Sequence, residues 1–119
     1  MTLPILLIMF YGSPLSARQM PVEGKASYYA DHFVGKRTAS GVPYDRNKMT
    51  AAHQTLPFGT KVRVTNLSNG REVIVTINDR GPFVKGRIID VSRAAAQKLD
   101  FIKQGITDVS IAVVETGDM

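Results

Sequence analysis

The sequence contains no cysteine, and this absence excludes several kinds of chemistry. Disulfides, iron–sulfur clusters, thiolate zinc sites and cysteine nucleophiles all need that side chain. It also predicts a chain with no lipid anchor, because the acceptor for lipid attachment is missing. Histidine is scarce, and the only two, His32 and His53, lie too far apart in sequence to predict a zinc site. We therefore expect neither a metal nor another cofactor.

Acidic residues are outnumbered by basic ones. The chain has 15 Lys and Arg against 10 Asp and Glu, which gives a formal net charge of +5 and favours an acidic partner. The basic residues are scattered and no recognised nucleic-acid-binding motif accompanies them, so we expect no nucleic-acid partner. Neither a phosphate-binding glycine loop nor a Gly-x-Ser-x-Gly nucleophile motif is present.

The length and composition fit one small globular domain. The chain has 119 residues, of which 44% are hydrophobic and 21% charged. An apolar run over residues 2–11 is too short to span a bilayer as a helix, and small and turn-forming residues follow it. This pattern favours a secretory signal peptide, even though no Lys or Arg precedes the run. The alternative is a buried strand or short helix.

The signal-peptide interpretation predicts an exported protein, either periplasmic or extracellular. The expected organisation is a signal peptide over residues 1–17, a short segment over 18–23, a folded domain over 24–115 and a tail over 116–119.

Two segments in the middle of the chain have the alternation of β-strands. Lys61–Thr65 and Glu72–Ile77 place apolar side chains at every second position, as strands with one buried face do. The pair Asn69-Gly70 lies between them and readily takes the positive φ angles of a tight turn. These residues therefore predict a β-hairpin.

Further short elements are expected on both sides of this hairpin. A helix is predicted over Ser92–Leu99, where Ser92 can cap it and an alanine run favours it. Strands are predicted near Lys25–Ala30 and Asp108–Val114. Many short strands with one or two short helices are typical of a small closed barrel, which leaves few exposed sheet edges.

The densest polar cluster is Asn78-Asp79-Arg80-Gly81-Pro82-Phe83, in which a predicted strand ends at a turn. Side chains at such ends can face a cleft while rigid backbone holds them. Adjacent residues of an extended chain point to opposite faces, so Asp79 and Arg80 should point apart. Asp79 is either an active-site acid or a turn residue that accepts hydrogen bonds from nearby amides.

Two other polar residues allow a structural interpretation. His53 follows Thr50-Ala51-Ala52 and precedes a Leu-Pro-Phe-Gly turn, where it can be a structural hydrogen-bonding group or a site residue. Asp90 comes shortly before the predicted helix and can accept hydrogen bonds from amides near the helix start.

Several strings occur together and in order along the chain. They are Gly24-Lys25-Ala26-Ser27-Tyr28-Tyr29, Thr38-Ala39-Ser40-Gly41, Tyr44-Asp45, Leu56-Pro57-Phe58-Gly59-Thr60, Val62-Arg63-Val64-Thr65-Asn66-Leu67 and the cluster from Asn78 to Phe83. In this combination the sequence resembles the rare lipoprotein A (RlpA) family over about residues 24–115. The resemblance implies a mainly-β fold, a six-stranded double-psi β-barrel with one or two short helices.

The same resemblance implies lytic transglycosylase activity on peptidoglycan. The enzyme would cleave the bond between N-acetylmuramic acid and N-acetylglucosamine in peptide-poor strands, leaving 1,6-anhydro ends. The family's catalytic aspartate falls on Asp79 and its site histidine on His53. The residues expected to contact the substrate are Tyr29, Tyr44, Asp45 and Arg80.

The chain departs from the family pattern at Val42, where the resemblance expects a glutamate. Valine cannot transfer a proton. Lytic transglycosylation nevertheless needs no activated water, because the 6-hydroxyl of the muramic acid attacks its own anomeric carbon, so one acid can serve in both steps. Activity with Asp79 alone is therefore one hypothesis.

The other hypothesis is a non-catalytic, expansin-like module that binds cell-wall glycan, and Val42 favours it. Both hypotheses predict a monomer whose partner is the peptidoglycan glycan strand. Anionic wall polymers would account for the net charge of +5.

Overall fold

The structure is a computed structural model that describes residues 21–117. The predicted signal peptide, residues 1–17, lies outside the described residues. Six strands form a closed barrel, and a single turn of 3₁₀ helix, Asp31–Phe33, follows the first of them. The strands are β1 (Val22–Tyr28), β2 (Thr50–Ala52), β3 (Lys61–Asn66), β4 (Glu72–Asp79), β5 (Arg87–Val91) and β6 (Ile106–Glu115), and the α-helix is α1 (Arg93–Leu99).

The barrel mixes parallel and antiparallel pairs. Its strands are hydrogen-bonded in the order β1-β5-β2-β4-β3-β6, with β6 closing onto β1. The pairs β1/β5 and β2/β4 are parallel, and the remaining pairs are antiparallel. The prediction of a mainly-β, closed six-stranded barrel is therefore confirmed.

The predicted hairpin is present, but its turn differs from the expectation. Val62 pairs with Val75 and Val64 with Val73 across β3 and β4. The connection is longer than a two-residue turn, and of the Asn69-Gly70 pair only Gly70 has a positive φ, of 80°. Both amides of that pair donate to the carbonyl of Asn66, at 3.3 and 2.7 Å. The prediction of a tight Asn-Gly turn was wrong because these bonds close a wider loop.

The core follows from the alternation of the strands. Every second side chain of β3 and β4 is buried, and Phe101, just after α1, is fully buried in the same core. Helix α1 begins as predicted, since the Ser92 hydroxyl accepts from the amide of Ala95 at 3.2 Å. Within the described residues, no helix combines the length and the apolar character needed to cross a membrane.

The two short strands β2 and β5 were not among those predicted. β2 has only three residues. β5 contains Asp90, for which only a position shortly before the helix was predicted. Both lie between other strands, and each has one parallel partner. Through these pairings the ends of β1, β4 and β5 come together, which sets the position of the candidate site.

Candidate active-site cleft

A cleft of about 530 Å³ opens where β1 and β4 end. One part of its lining comes from the end of β1 and the segment that follows, and another from the end of β4 and the turn after it. β5 contributes a third part. The cleft therefore contains Asp79, the last residue of β4, at the place where strand and turn meet.

Three donors hold the carboxylate of Asp79. Oδ1 accepts from the backbone amides of Ala39, at 2.8 Å, and Arg80, at 2.9 Å. Oδ2 accepts from the Tyr29 hydroxyl at 2.5 Å. The Arg80 amide is a local turn donor, whereas the Ala39 amide comes from a segment 40 residues away, and the carboxylate also lines the cleft. Because Oδ2 has one donor, it is the oxygen with the greater remaining capacity to accept a bond.

Tyr29 belongs to a small aromatic cluster. Its ring stacks on that of Tyr44 with 4.4 Å between centroids and meets Phe33 edge-on at 6.0 Å. Burial, together with the hydrogen bond to Asp79 and the charge of that carboxylate, raises the pKa of Tyr29 well above its usual range. The hydroxyl therefore stays protonated and acts as a donor toward Asp79.

Tyr44 is almost fully buried, with 4% of its surface exposed. Its hydroxyl accepts from the backbone amide of Arg93 at 3.1 Å, and burial raises its pKa. The side chain thus supports Tyr29 from behind and presents little surface to a ligand.

Arg80 is held away from the neighbouring aspartate. Its Nη1 donates to the carbonyls of His53, at 3.2 Å, and Leu56, at 2.8 Å, and the guanidinium lies over the ring of Phe58 at 4.1 Å. Within residues 21–117 the Arg80 and Asp79 side chains form no salt bridge, as their adjacent positions on a strand predict. Arg80 also belongs to the lining of the cleft.

His53 makes turn contacts. Its Nδ1 accepts from the amides of Thr55 and Leu56, both at 3.1 Å, which places the proton of the neutral ring on Nε2. Burial, with a smaller contribution from the charge of Arg80, lowers the pKa of His53. The side chain is not among those lining the Asp79 cleft, although its amide donates to the carbonyl of Asp79 at 3.1 Å.

The lowered pKa of His53 predicts a pH-dependent stability. Folding disfavours the charged ring, so the contribution of His53 to the free energy of unfolding is fully present above the ordinary histidine pKa of about 6.5. This contribution is lost as the pH falls from there through the pKa of folded His53. In His53→Asn, an amide oxygen can accept the same bonds without titrating. We expect a smaller difference in urea unfolding free energy between about pH 7.5 and about pH 5.5 than in the wild type.

His32→Asn is the matched control, since His32 is exposed on the 3₁₀ turn. It should leave the wild-type pH dependence in place. Equal pH dependences for His53→Asn and the wild type would contradict the assignment of this pH-dependent stability to His53.

Val42 and Asp45 lie in a neighbouring groove. This groove of about 510 Å³ shares Tyr44 with the Asp79 cleft. Val42 is 54% exposed, and its backbone carbonyl accepts from the amide and the hydroxyl of Thr38, at 2.9 and 2.7 Å. Asp45 is also exposed, and its carboxylate accepts from the amide of Asn47 at 2.9 Å. The predicted site residues therefore divide into Asp79, Tyr29, Tyr44 and Arg80 in the cleft, and His53, Asp45 and Val42 outside its lining.

The sequence interpretation of Asp90 was wrong about its partners. Instead of amides at the helix start, its carboxylate accepts from the Ser27 hydroxyl at 2.5 Å and from the Arg87 guanidinium at 2.9 and 3.1 Å. All three residues line the cleft. The reason is the parallel pairing of β1 with β5, which puts Ser27 opposite Asp90.

Two exposed phenylalanines, Phe33 and Phe83, also line the cleft and were not predicted as site residues. A large apolar side chain beside a strand-end acid is the signal that could have indicated Phe83. Among residues 21–117, no three acidic or histidine side chains lie close enough together to hold a metal ion.

The described barrel is of the double-psi type, as similar solved structures show. The papain inhibitor of Streptomyces is 28% identical, with a TM-score of 0.66 over 81% of this chain and 96% of that one. An expansin of Clavibacter michiganensis, 21% identical, has a TM-score of 0.64 over 84% of this chain and 53% of that one. The likeness to the expansin concerns the fold alone.

Sequence comparison then gives the family. The family model described as "Lytic transglycolase" matches residues 21–111, and the chain belongs to this family. The "Probable endolytic peptidoglycan transglycosylase RlpA" of Treponema pallidum is 61% identical over 75% of this chain. The "Endolytic peptidoglycan transglycosylase RlpA" of Neisseria meningitidis is 55% identical over 79% of it. These alignments cover 28% and 39% of the two relatives' own lengths, respectively.

Proposed function

We propose that the chain is a peptidoglycan lytic transglycosylase. It would cleave the bond between N-acetylmuramic acid and N-acetylglucosamine in peptide-poor glycan strands and leave 1,6-anhydro ends. The observation that carries the proposal is the Asp79 carboxylate, held by three donors in an open cleft. Family membership and the names of the relatives support the same reaction.

In the first step, Asp79 in its protonated form gives its proton to the glycosidic oxygen. The bond between that oxygen and the anomeric carbon breaks, and the departing sugar leaves with a hydroxyl group. Oδ2 is the better placed oxygen for this transfer because the two backbone amides already occupy Oδ1. The fixed carboxylate supplies the orientation that proton transfer requires.

In the second step, the 6-hydroxyl oxygen of the muramic acid bonds to the anomeric carbon. The Asp79 carboxylate accepts the hydroxyl proton and returns to its protonated form, so the cycle consumes no water. Since no water needs activation, one carboxylate is sufficient. Asp90 lies in the same cleft, but its carboxylate is paired with the Arg87 guanidinium and accepts from the Ser27 hydroxyl.

The remaining predicted site residues act less directly than Asp79 in this proposal. Arg80 contributes positive charge beside the glycan, and His53 supports it by presenting its carbonyl to the guanidinium. Tyr44 acts through its stack on Tyr29. A contact of Asp45 with the substrate would require a strand that extends into the neighbouring groove.

The proposed reaction takes place in the cell envelope, where peptidoglycan is the partner. We propose export through a signal peptide at residues 1–17, followed by the barrel domain, which acts as a monomer. The net charge of +5 would favour association with anionic wall polymers.

The test is incubation of the purified chain with peptide-stripped glycan, followed by mass spectrometry of the products. We expect fragments with 1,6-anhydro ends. Glycan that is retained in a pull-down but never cleaved would overturn the enzyme proposal and favour the expansin-like binding module.

Position 42 distinguishes the two functions further. The Val42 side chain lies in the neighbouring groove, so a glutamate there would be solvated and outside the lining of the Asp79 cleft. We therefore expect Val42→Glu to change the cleavage rate by less than about tenfold, below the contribution typical of a general acid or base. A much larger gain would show that the natural chain lacks an essential carboxylate.

A further inference from the structure

The cleft exposes two aromatic side chains that the proposed chemistry does not use. Phe83 is 80% exposed and Phe33 is 41% exposed, and both line the cleft that contains Asp79. An exposed phenylalanine forgoes the favourable free energy of burial, about 25 cal/mol per Å² of apolar surface. Exposed aromatics gathered at a polar cleft are typical of ligand-binding surfaces.

Phe83 projects from a well-fixed turn. The two preceding residues, Gly81 and Pro82, are buried, and the side-chain amide of Gln54 donates to the carbonyl of Pro82 at 2.7 Å. Gly81 has a φ of 115°, which a side chain would strain, and a Cβ built there would lie 3.5 Å from Cε2 of Phe83. The ring thus lies beside the Gly81 backbone at one edge and remains open to solvent elsewhere.

Phe33 is oriented by the same cluster that holds the catalytic acid. Its ring meets that of Tyr29 edge-on, with 6.0 Å between centroids, and lies against the His32 ring, with 4.2 Å between centroids. The Lys36 ammonium lies 5.8 Å from the centroid of the Phe33 ring. Tyr29 in turn donates to Asp79. Phe33 is therefore connected through one side chain to the reacting carboxylate.

We propose that Phe83 and Phe33 form a sugar-binding subsite, on which pyranose rings of the glycan stack beside Asp79. The faces of β-linked pyranoses carry C–H groups, which pack against aromatic rings, while their edges carry hydroxyl and amide groups for the polar part of the cleft. The two phenylalanines come from different segments of the lining, the one after β1 and the one after β4. The subsite rests on the proposed glycan substrate and assigns the residues that hold it.

The chain contains no tryptophan, so Phe83→Trp introduces a single fluorescent reporter at the subsite. Titration with peptide-stripped glycan should give a saturable change in its emission. Val84→Trp is the matched control, because Val84 is the next residue, is 52% exposed and is not among the cleft-lining residues. We expect little change for that variant. A flat titration for Phe83→Trp, or equal responses for both variants, would overturn the subsite.

A second measurement removes the ring. Phe83→Ala should weaken glycan binding and raise KM by about tenfold, because stacking and apolar contact are lost. Its kcat should stay within about twofold of the wild type, since the contact serves ground state and transition state alike. Val84→Ala should match the wild type. Binding by Phe83→Ala within about twofold of the wild type would overturn the subsite.

These measurements separate the subsite from the proposed reaction. Saturable fluorescence without 1,6-anhydro products would support the subsite and remove the enzyme function. Cleavage by Phe83→Ala with an unchanged KM would do the opposite. If the exposed ring instead serves a protein partner, glycan will leave the reporter unchanged, and the proposal fails.

Discussion

Replacing Asp79 with asparagine is expected to abolish glycan cleavage, lowering kcat by about 10³-fold or more. The amide can neither donate an acidic proton to the glycosidic oxygen nor accept the proton of the 6-hydroxyl. Both proposed steps therefore lose their proton carrier. The measurement is the rate at which 1,6-anhydro ends appear from peptide-stripped glycan, compared with wild-type chain at the same concentration.

The same variant should fold and bind glycan normally. Its side-chain oxygen can accept from the amides of Ala39 and Arg80, as Oδ1 does in the wild type. The amide nitrogen would then face Tyr29, whose hydroxyl can rotate to accept instead of donate. A loss of activity with an unchanged thermal transition and retained pull-down would thus locate the defect in the chemistry.

Asp108→Asn is the matched control for this loss. Asp108 lies on β6, where its carboxylate is 63% exposed and pairs with Lys25 at 2.8 Å. Exposed pairs of this kind contribute little to stability, so the control should retain wild-type activity. If Asp79→Asn cleaves glycan within about tenfold of the wild type, Asp79 is not the general acid and the proposed mechanism is wrong.

The part of the site that could be predicted is the part encoded locally. The alternation of Glu72–Ile77 indicates a half-buried strand, and the Gly-Pro pair after Arg80 indicates where it ends. Together these features place an acid at the end of a strand beside a turn. Alternation also predicted β3, and the Ser92 cap with the alanine run predicted the helix α1, because each of these signals lies in a few consecutive residues.

The contacts that define the chemistry are long-range and leave no local pattern. Tyr29 and Asp79 are 50 residues apart, and they meet because β1 and β4 end at the same cleft. Asp90 binds Ser27 through the parallel pairing of β1 with β5. Both parallel pairs join distant segments, and the three-residue strand β2 is too short to show a period.

One such long-range contact gives Tyr29 a further role, which the sequence did not predict. The family resemblance suggested a residue that contacts the substrate, whereas the structure directs its hydroxyl at Oδ2 of Asp79. The stack on Tyr44 and the edge contact with Phe33 fix the ring in that orientation. Tyr29 is therefore interpreted as a positioning residue for Asp79, the proposed acid.

Tyr29→Phe is expected to lower kcat by about 10- to 100-fold while KM changes little. The ring and its packing remain, but a hydrogen bond to a charged group is lost, which is worth about 1.5–3 kcal/mol. Without the hydroxyl, Oδ2 of Asp79 loses the donor that orients it. The measurement is kcat and KM for the appearance of 1,6-anhydro ends, together with the thermal transition of the variant.

Tyr28→Phe provides the matched control because its hydroxyl donates to the carbonyl of Ile102, at 2.9 Å, instead of to Asp79. It removes the same atom from the adjacent residue and should leave both kcat and KM as in the wild type. A purely structural role for Tyr29 would lower the thermal transition. A substrate-contact role would instead raise KM with kcat unchanged. Only positioning of Asp79 predicts a lower kcat while KM and the thermal transition stay close to the wild type.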